Sequence, residues 1–92
     1  MLGNLDPGRV VESKAGRDKG KLFIILSVGD GCVFVADGKT RKTSSPKKKN
    51  LKHIATKPFV YDKIMSGYVA GEVLDAQVSE FLKRVQESRK EE

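Results

Sequence analysis

The fold is decided by residues 22–36, which read Leu22-Phe-Ile-Ile-Leu-Ser-Val28, Gly29-Asp-Gly31 and Cys32-Val-Phe-Val-Ala36. The first run is apolar and β-branched, and it is too short for a typical helix, so it predicts a strand. Glycine adopts positive φ at little cost, so the Gly-Asp-Gly segment predicts a hairpin turn. The last run predicts the returning strand, and the whole stretch therefore predicts an antiparallel hairpin.

Turn-forming residues on both sides of this hairpin predict a larger sheet. The further strands are expected at residues 9–14, 39–43 and 51–56. Ser44-Ser45-Pro46 ends the fourth strand because proline cannot donate to a ladder, and residues 44–50 are expected to be a mobile loop that nothing nearby neutralises. Five short strands predict a mostly β fold, a small closed or nearly closed barrel that protects its edges.

The last third of the chain predicts a C-terminal amphipathic α-helix over residues 72–90. Apolar residues recur there at helical spacing, with Glu72 and Asp75 near the start and Lys83 and Arg84 later, which suits the helix dipole. Its apolar face is expected to pack on the barrel or on a second copy of the chain. The predicted segments are 1–57 for the barrel with its basic loop, 58–71 for a connection anchored by Phe59, Tyr61, Ile64 and Tyr68, and 72–90 for the helix.

Length and composition exclude several classes of protein. A chain of 92 residues predicts one domain, too short for two domains, a βα barrel or a full dinucleotide-binding fold. No run approaches the roughly 20 apolar residues of a membrane helix, and the N-terminus does not resemble a signal peptide. The single cysteine, Cys32, lies in an apolar strand and is expected to be buried. These features predict a protein of the reducing cytoplasm.

The positive charge is concentrated in one block. The net charge is +6, yet residues 39–61 contain eight basic and no acidic residues, while the flanking parts are nearly balanced. The eight are Lys39, Arg41, Lys42, Lys47, Lys48, Lys49, Lys52 and Lys57. A block of one sign requires counter-ions or an anionic partner. It predicts contact with a polyanion, above all nucleic acid; the alternative is a loop that only aids solubility.

The sequence contains no catalytic constellation, so we expect a non-enzyme without cofactor or metal. Gly38-Lys39-Thr40 and the segment 16–21 each lack part of the phosphate-binding P-loop motif. One cysteine and one histidine, His53, cannot complete a metal site. The aspartates Asp18, Asp30 and Asp37 lie in predicted turns, where they are expected to cap the backbone.

Three stretches of the sequence carry a family resemblance. Residues 8–26 read Gly8-Arg-Val-Val-Glu-Ser-Lys-Ala-Gly-Arg-Asp-Lys-Gly-Lys-Leu-Phe-Ile-Ile-Leu26, and this strand, turn and strand resemble the KOW motif of ribosomal proteins and transcription elongation factors. Gly20 matches the motif's most characteristic glycine. Val35-Ala-Asp-Gly-Lys-Thr-Arg-Lys42 and Pro46-Lys-Lys-Lys-Asn-Leu-Lys-His53 are similar to small bacterial KOW-domain RNA-binding proteins, which resemble the fourteen-e family of large-subunit ribosomal proteins.

The resemblance covers roughly residues 8–54 and implies an SH3-like five-stranded barrel that contacts RNA through the KOW turn and nearby loops. Together with the charge it predicts a non-catalytic, ribosome-associated RNA-binding protein whose partners are ribosomal RNA and, beside it, ribosomal proteins. The residues expected to contact RNA are Arg17, Lys19, Lys21, Lys39, Arg41, Lys42, Lys47, Lys48, Lys49, Lys52 and His53. The structural turn glycines are expected to be Gly16, Gly20 and Gly38. Reversing the charge of residues 47–49 is expected to weaken binding without unfolding the barrel.

Three alternatives to RNA stay open at this point. One is a protein-interaction module that binds a translation or transcription factor through the barrel and the C-terminal helix. Another is DNA binding. The third is an anionic membrane surface, which the mixed charge on the polar face of the helix disfavours.

Overall fold

The computed structural model describes residues 5–90, which form one antiparallel sheet and two α-helices. In chain order the elements are β1 (Arg9–Ser13), β2 (Leu22–Gly29), β3 (Cys32–Ala36), β4 (Lys47–Asn50), β5 (Ile54–Val60), α1 (Asp62–Met65) and α2 (Glu72–Lys90). Short 3-10 turns lie at Gly16–Asp18 and Leu51–His53. The mostly β fold with five strands and a C-terminal helix is therefore confirmed.

The strands lie in the order β4-β3-β2-β1-β5, and all neighbours are antiparallel. The predicted hairpin is formed by β2 and β3, with Gly29 opposite Cys32. The outer strands β4 and β5 are joined in sequence by the turn Leu51–His53 but are not paired with each other. The barrel is consequently open along this seam and is not the fully closed form.

Alternate side chains of the central strands fill two cores, one on each face of the sheet, as strand geometry requires. The first core consists of Val11, Phe23, Ile25, Val33 and Val35, all at most 2% exposed. Leu51 and Ile54, at the junction of the two edge strands, pack against it. The sheet thus wraps around this core in the manner of a small barrel.

Helix α2 covers the other face of the sheet. This second core joins side chains of the sheet and both helices, namely Val10, Leu22, Ile24, Leu26, Ala36, Ile64, Leu74, Val78, Leu82 and Val85. Because β2 is covered on both faces, five consecutive residues from Leu22 are buried. The apolar face of α2 is therefore buried against the sheet. Of the two packing partners predicted for this face, the barrel is the one observed.

The strand predicted at residues 39–43 is wrong. Two carboxylates bind the backbone of this segment: Asp37 Oδ1 accepts hydrogen bonds from the amides of Lys39 and Arg41, and Asp75 Oδ1 accepts one from the amide of Thr43. Since side-chain carboxylates, one of them on α2, accept from these amides, the segment forms turns without a ladder partner. The free edge of β3 pairs with β4 instead.

The mobile loop predicted at residues 44–50 is also wrong in its second half. Residues 47–50 form β4, with Lys47 opposite Val35 and Lys49 opposite Val33. The prediction assumed that nothing neutralises these lysines, whereas Asp18 lies against two of them.

The fifth strand is displaced along the chain, from the predicted 51–56 to 54–60. It therefore includes the start of the predicted connecting segment. Pro58 fits because β5 is an edge strand, where a missing N–H is tolerated. Within the rest of that segment, Ile64 is buried whereas Tyr68 is exposed, so Ile64 anchors the connection and Tyr68 does not.

Cys32 is buried in β3, as predicted. No helix within the described part of the chain has the length and apolar character needed to cross a membrane. Residues 1–4, on which the expectation about a signal peptide partly depends, lie outside the described residues.

Candidate nucleic-acid interface

The turn between β1 and β2, residues 14–21, is a short compact connection with an exposed basic surface. Gly16 and Gly20 have φ of +73° and +91°, a region that L side chains rarely adopt. The amide of Gly20 donates to the carbonyl of Ser13 over 2.8 Å, which holds the turn closed. Arg17, Lys19 and Lys21 are exposed in this turn, while Asp18 is only half-buried and is directed toward β4, since it contacts Lys47 and Lys49.

Asp18 joins two basic stretches that are distant in sequence. Its carboxylate accepts a hydrogen bond from Lys47 Nζ, across 29 residues of chain. Lys49 Nζ lies 3.7 Å and Lys21 Nζ 3.9 Å from the same carboxylate group. The hydrogen bond from Lys47 holds the pKa of Asp18 below its ordinary value; burial opposes this effect, and the charges of the three lysines reinforce it. The turn and β4 therefore form one charged surface.

Lys49 is a structural member of this cluster. The residue is 8% exposed, and its Nζ donates to Ser13 Oγ over 2.9 Å beside Asp18. The sequence predicts that Lys49 contacts RNA and tolerates reversal to Glu together with its neighbours. Its burial and its contacts with Ser13 and Asp18 count against both predictions, because a glutamate here would bury a second carboxylate against Asp18.

The loop of residues 37–41 supplies the other wall of the cluster. Burial raises the pKa of Asp37, but hydrogen bonds from the Thr40 hydroxyl and from the amides of Arg41 and Lys39 outweigh it, so that the pKa is lowered overall. These bonds measure 2.7–2.9 Å. The ionised carboxylate of Asp37 thereby fixes the backbone on which Thr40 and Arg41 are mounted.

The three segments enclose a small cleft between the turn, the loop and β4. Its volume is about 110 Å³, and it is lined by Asp18, Lys21, Phe23, Thr40, Arg41 and Lys47. We call this the basic cleft. Three cations and one carboxylate line it, so that its lining carries an excess of positive charge. Arg17 and Lys19 extend the positive surface along the same turn.

The other predicted contact residues lie elsewhere. Lys39 and Lys21 line a wider hollow against α2, and Lys42 borders α2 beside Glu72, Asp75 and Glu80. Lys48 projects to the opposite face of β4 from Lys47, because side chains alternate along a strand. Lys52 and His53 are exposed on the 3-10 turn after β4, and none of the lining residues of the basic cleft comes from that turn.

Part of the basic block is neutralised inside the protein. Lys57 Nζ lies 3.0 Å from a carboxylate oxygen of Glu12, and Lys47 and Lys49 share Asp18. Within residues 5–90, the predicted contact residues without an ion pair are Arg17, Lys19, Lys39, Arg41, Lys42, Lys48, Lys52 and His53. Counting charges along the sequence therefore overestimates the positive surface of β4.

Of the three glycines predicted to be structural, Gly38 is the most constrained. Its φ is +79°, and a Cβ atom there would collide with the carbonyl oxygen of Asp75 in α2. The space around Gly16 and Gly20 is open, so those two glycines serve the backbone conformation alone. The close packing of the Gly38 backbone on the Asp75 carbonyl holds the 37–41 loop against α2 and so positions Arg41.

Sequence reasoning missed Asp18 and Thr40 as members of the site. Asp18 was assigned to turn capping, yet it organises lysines, and the only signal for this role was the carboxylate within Gly16-Arg-Asp-Lys-Gly-Lys21. Thr40 was part of the supposed strand.

No family model matches this chain, and no curated protein matches it significantly. The resemblance to KOW domains accordingly depends on the residues of the turn and of the basic stretch after it.

Proposed function

We propose that this protein is a non-catalytic RNA-binding protein of the cytoplasm that contacts the phosphates of structured RNA, and that it associates with the ribosome. The observation that supports it best is the convergence at Asp18 of the β1–β2 turn and β4, two basic stretches far apart in sequence. Phosphate contacts dominate the affinity of such complexes. A positive surface built on a rigid sheet can place its cations at fixed separations, as recognition of a folded RNA requires.

The aromatic residues near the basic cleft favour backbone and shape recognition over stacking. Binding of single strands depends on aromatic rings on which bases stack. The one ring that lines the cleft belongs to Phe23, which is 2% exposed and fills the first core. Recognition of double-stranded or folded RNA uses phosphates and groove shape instead, and this mode agrees with a surface of Lys and Arg.

The resemblance of residues 8–26 and 46–53 to KOW-domain proteins adds ribosomal RNA as the expected class of partner. Gly20, the characteristic glycine of that motif, has the positive φ that the turn needs. Arg17, Lys19 and Lys21, the residues which the resemblance assigns to RNA, are the exposed cations of this turn.

The proposal is tested by binding a structured RNA to the double variant Arg17→Glu/Lys19→Glu. Both side chains are exposed and have no ion pair within residues 5–90, so the variant is expected to fold. The control Lys63→Glu/Arg84→Glu makes the same change in net charge on the helical side of the molecule. If about five phosphates are neutralised, log affinity falls with log salt with a slope of roughly −3.5 to −4.5.

Loss of two phosphate contacts would reduce that slope by roughly 1.4 to 1.8 in the turn variant but not in the control. Equal affinity of the wild type and the turn variant would contradict the assignment. Sedimentation of a cell lysate with and without ribonuclease then shows whether the particle bound is ribosomal.

The second candidate is a protein-interaction module, and exposed apolar residues favour it. Met65, Tyr68, Val69 and Val73 lie between the end of α1 and the first turn of α2, where Val69 is 89% and Val73 75% exposed. The apolar face of α2 itself is buried on the sheet, so any partner would meet this segment and not the helix face. A complex formed there should withstand both ribonuclease and high salt, since apolar contact is not ionic.

A further inference from the structure

We infer that the basic cleft binds a single phosphodiester group of the RNA, with the Arg41 guanidinium as the principal hydrogen-bond donor. The inference rests on the proposed function and assigns one phosphate to one defined place. Elsewhere on the surface, contacts are expected to be less specific, because the hollow that Lys39 lines is wider and more open and includes the acidic residues Asp37 and Glu87.

The size and lining of the cleft favour a small anion. Its volume is about 110 Å³, and three cations from three segments converge on it. The buried ring of Phe23 bounds it, so the anion would enter between the turn, the loop and β4.

Arg41 is fixed at its backbone and unpaired at its guanidinium. Its amide donates to Asp37 Oδ1 over 2.8 Å, and its carbonyl accepts from the amides of Asp37 and Gly38 at 3.1 Å. Yet its guanidinium, half-buried in the cleft wall, has no hydrogen-bond or ion-pair partner within residues 5–90. A planar donor fork held on a rigid backbone and left without an acceptor is suited to bidentate binding of a phosphate.

The other cleft residues have complementary roles. Lys47 gives one hydrogen bond to Asp18, and since an ammonium group has three donors, two remain for a ligand. Lys21 lies at the far side of the same carboxylate, 3.9 Å away. The Thr40 hydroxyl already donates to Asp37 Oδ2, so Thr40 positions the loop and is not a donor to the anion. The two oxygens of the Asp18 carboxylate thus each face one of the two lysines.

The test compares two arginine-to-lysine variants that keep the net charge. Arg41→Lys removes the guanidinium from the cleft, whereas Arg84→Lys makes the same change on the exposed surface of α2, away from the turn and the cleft. Binding of a structured RNA should weaken roughly tenfold in Arg41→Lys, the size of one lost hydrogen bond to a charged group. Arg84→Lys should remain within about twofold of the wild type. Circular dichroism confirms that both variants are folded.

A second arm uses inorganic phosphate as the probe and follows backbone amide shifts by NMR. The expected result is saturable shifts at Lys21, Thr40 and Arg41 in the wild type that disappear in Arg41→Lys. RNA binding by the wild type that is equally strong in both variants would overturn the cleft assignment and leave the proposed function intact. If phosphate shifts these amides but RNA does not bind, free phosphate is the source and the proposed function fails. Absence of both effects overturns the cleft and RNA binding together.

Discussion

Replacing Asp18 by Asn should destabilise the fold by about 2 kcal/mol, because hydrogen bonds between charged groups contribute about 1.5–3 kcal/mol and an amide restores only part of this. The Asp18 side chain is 16% exposed, so solvent screens its ion pairs only in part. The substitution removes the charge that faces Lys47, Lys49 and Lys21. Lys49 suffers most, since it is buried and keeps only the neutral Ser13 hydroxyl as partner.

Thermal unfolding followed by circular dichroism at neutral pH measures this loss. For a domain of this size, about 2 kcal/mol corresponds to a decrease in Tm of roughly 8–16 °C. The matched control is Asp30→Asn, because Asp30 is exposed in the β2–β3 turn and forms no ion pair within residues 5–90. The control should stay within about 0.5 kcal/mol of the wild type. Equal melting of Asp18→Asn and the control would refute the view that Asp18 organises the lysines.

The same pair of proteins predicts a pH dependence. The pKa of Asp18 is lowered in the fold from an ordinary value of 3.8, so its contribution is complete above the pKa of the unfolded chain. It is lost as the pH falls through the lower pKa of the folded state. The difference in the free energy of unfolding between wild type and Asp18→Asn should therefore be constant near neutrality and shrink below about pH 4. A difference that grows on acidification would contradict the assigned direction.

Three other substitutions test how the site is supported, each by urea unfolding. Gly38→Ala should lower the free energy of unfolding by about 3 kcal/mol or more, because a Cβ at this positive φ would also collide with the Asp75 carbonyl. Gly16→Ala should lower it by only about 1–2 kcal/mol, because the space there is open. Equal losses would contradict the packing role of Gly38. Leu82→Ala should cost about 2–5 kcal/mol, since Leu82 joins α2 to the sheet, and a loss below about 0.5 kcal/mol, the range of a surface site, would mean that α2 is not docked. Asp75→Ala should cost about 1–3 kcal/mol by leaving the Thr43 amide without its acceptor, and an unchanged midpoint would exclude that bond as a support of the loop.

The parts of the fold that the sequence predicts are those with a strong hydrophobic pattern. β1, β2 and β3 contain runs of apolar residues and α2 has apolar residues at helical spacing, and the predicted ranges agree with the structure within a residue or two. β4 has no such pattern: Lys47-Lys-Lys-Asn50 has little intrinsic preference for a strand, and it becomes a strand by pairing with the free edge of β3. The supposed strand at 39–43 failed for the converse reason, because the Asp37 and Asp75 carboxylates satisfy its backbone.

The candidate site was predictable in its residue types and not in its arrangement. The exposed cations Arg17, Lys19 and Lys21 followed from the resemblance of the turn to the KOW motif. That Asp18 lies beside β4 is a long-range contact, which no local pattern encodes. Consequently a count of charges gives Lys49 the weight of a free cation although it is buried. The same count does not separate Arg41 from the other basic residues, although Arg41 lines the cleft.

The lysines of β4 also affect how the sheet meets other chains, because both of its edge strands have an unpaired edge. An outermost strand offers its free N–H and C=O groups to any other extended chain, and this is a route to edge-to-edge aggregation. The edge strand β4 contains Lys47, Lys48 and Lys49, and the charge of Lys49 points inward. A neighbouring copy approaching β4 would meet like charges and a strand that cannot bury them. The same side chains that form part of the positive surface thus keep one copy of the protein from adding its sheet to the next.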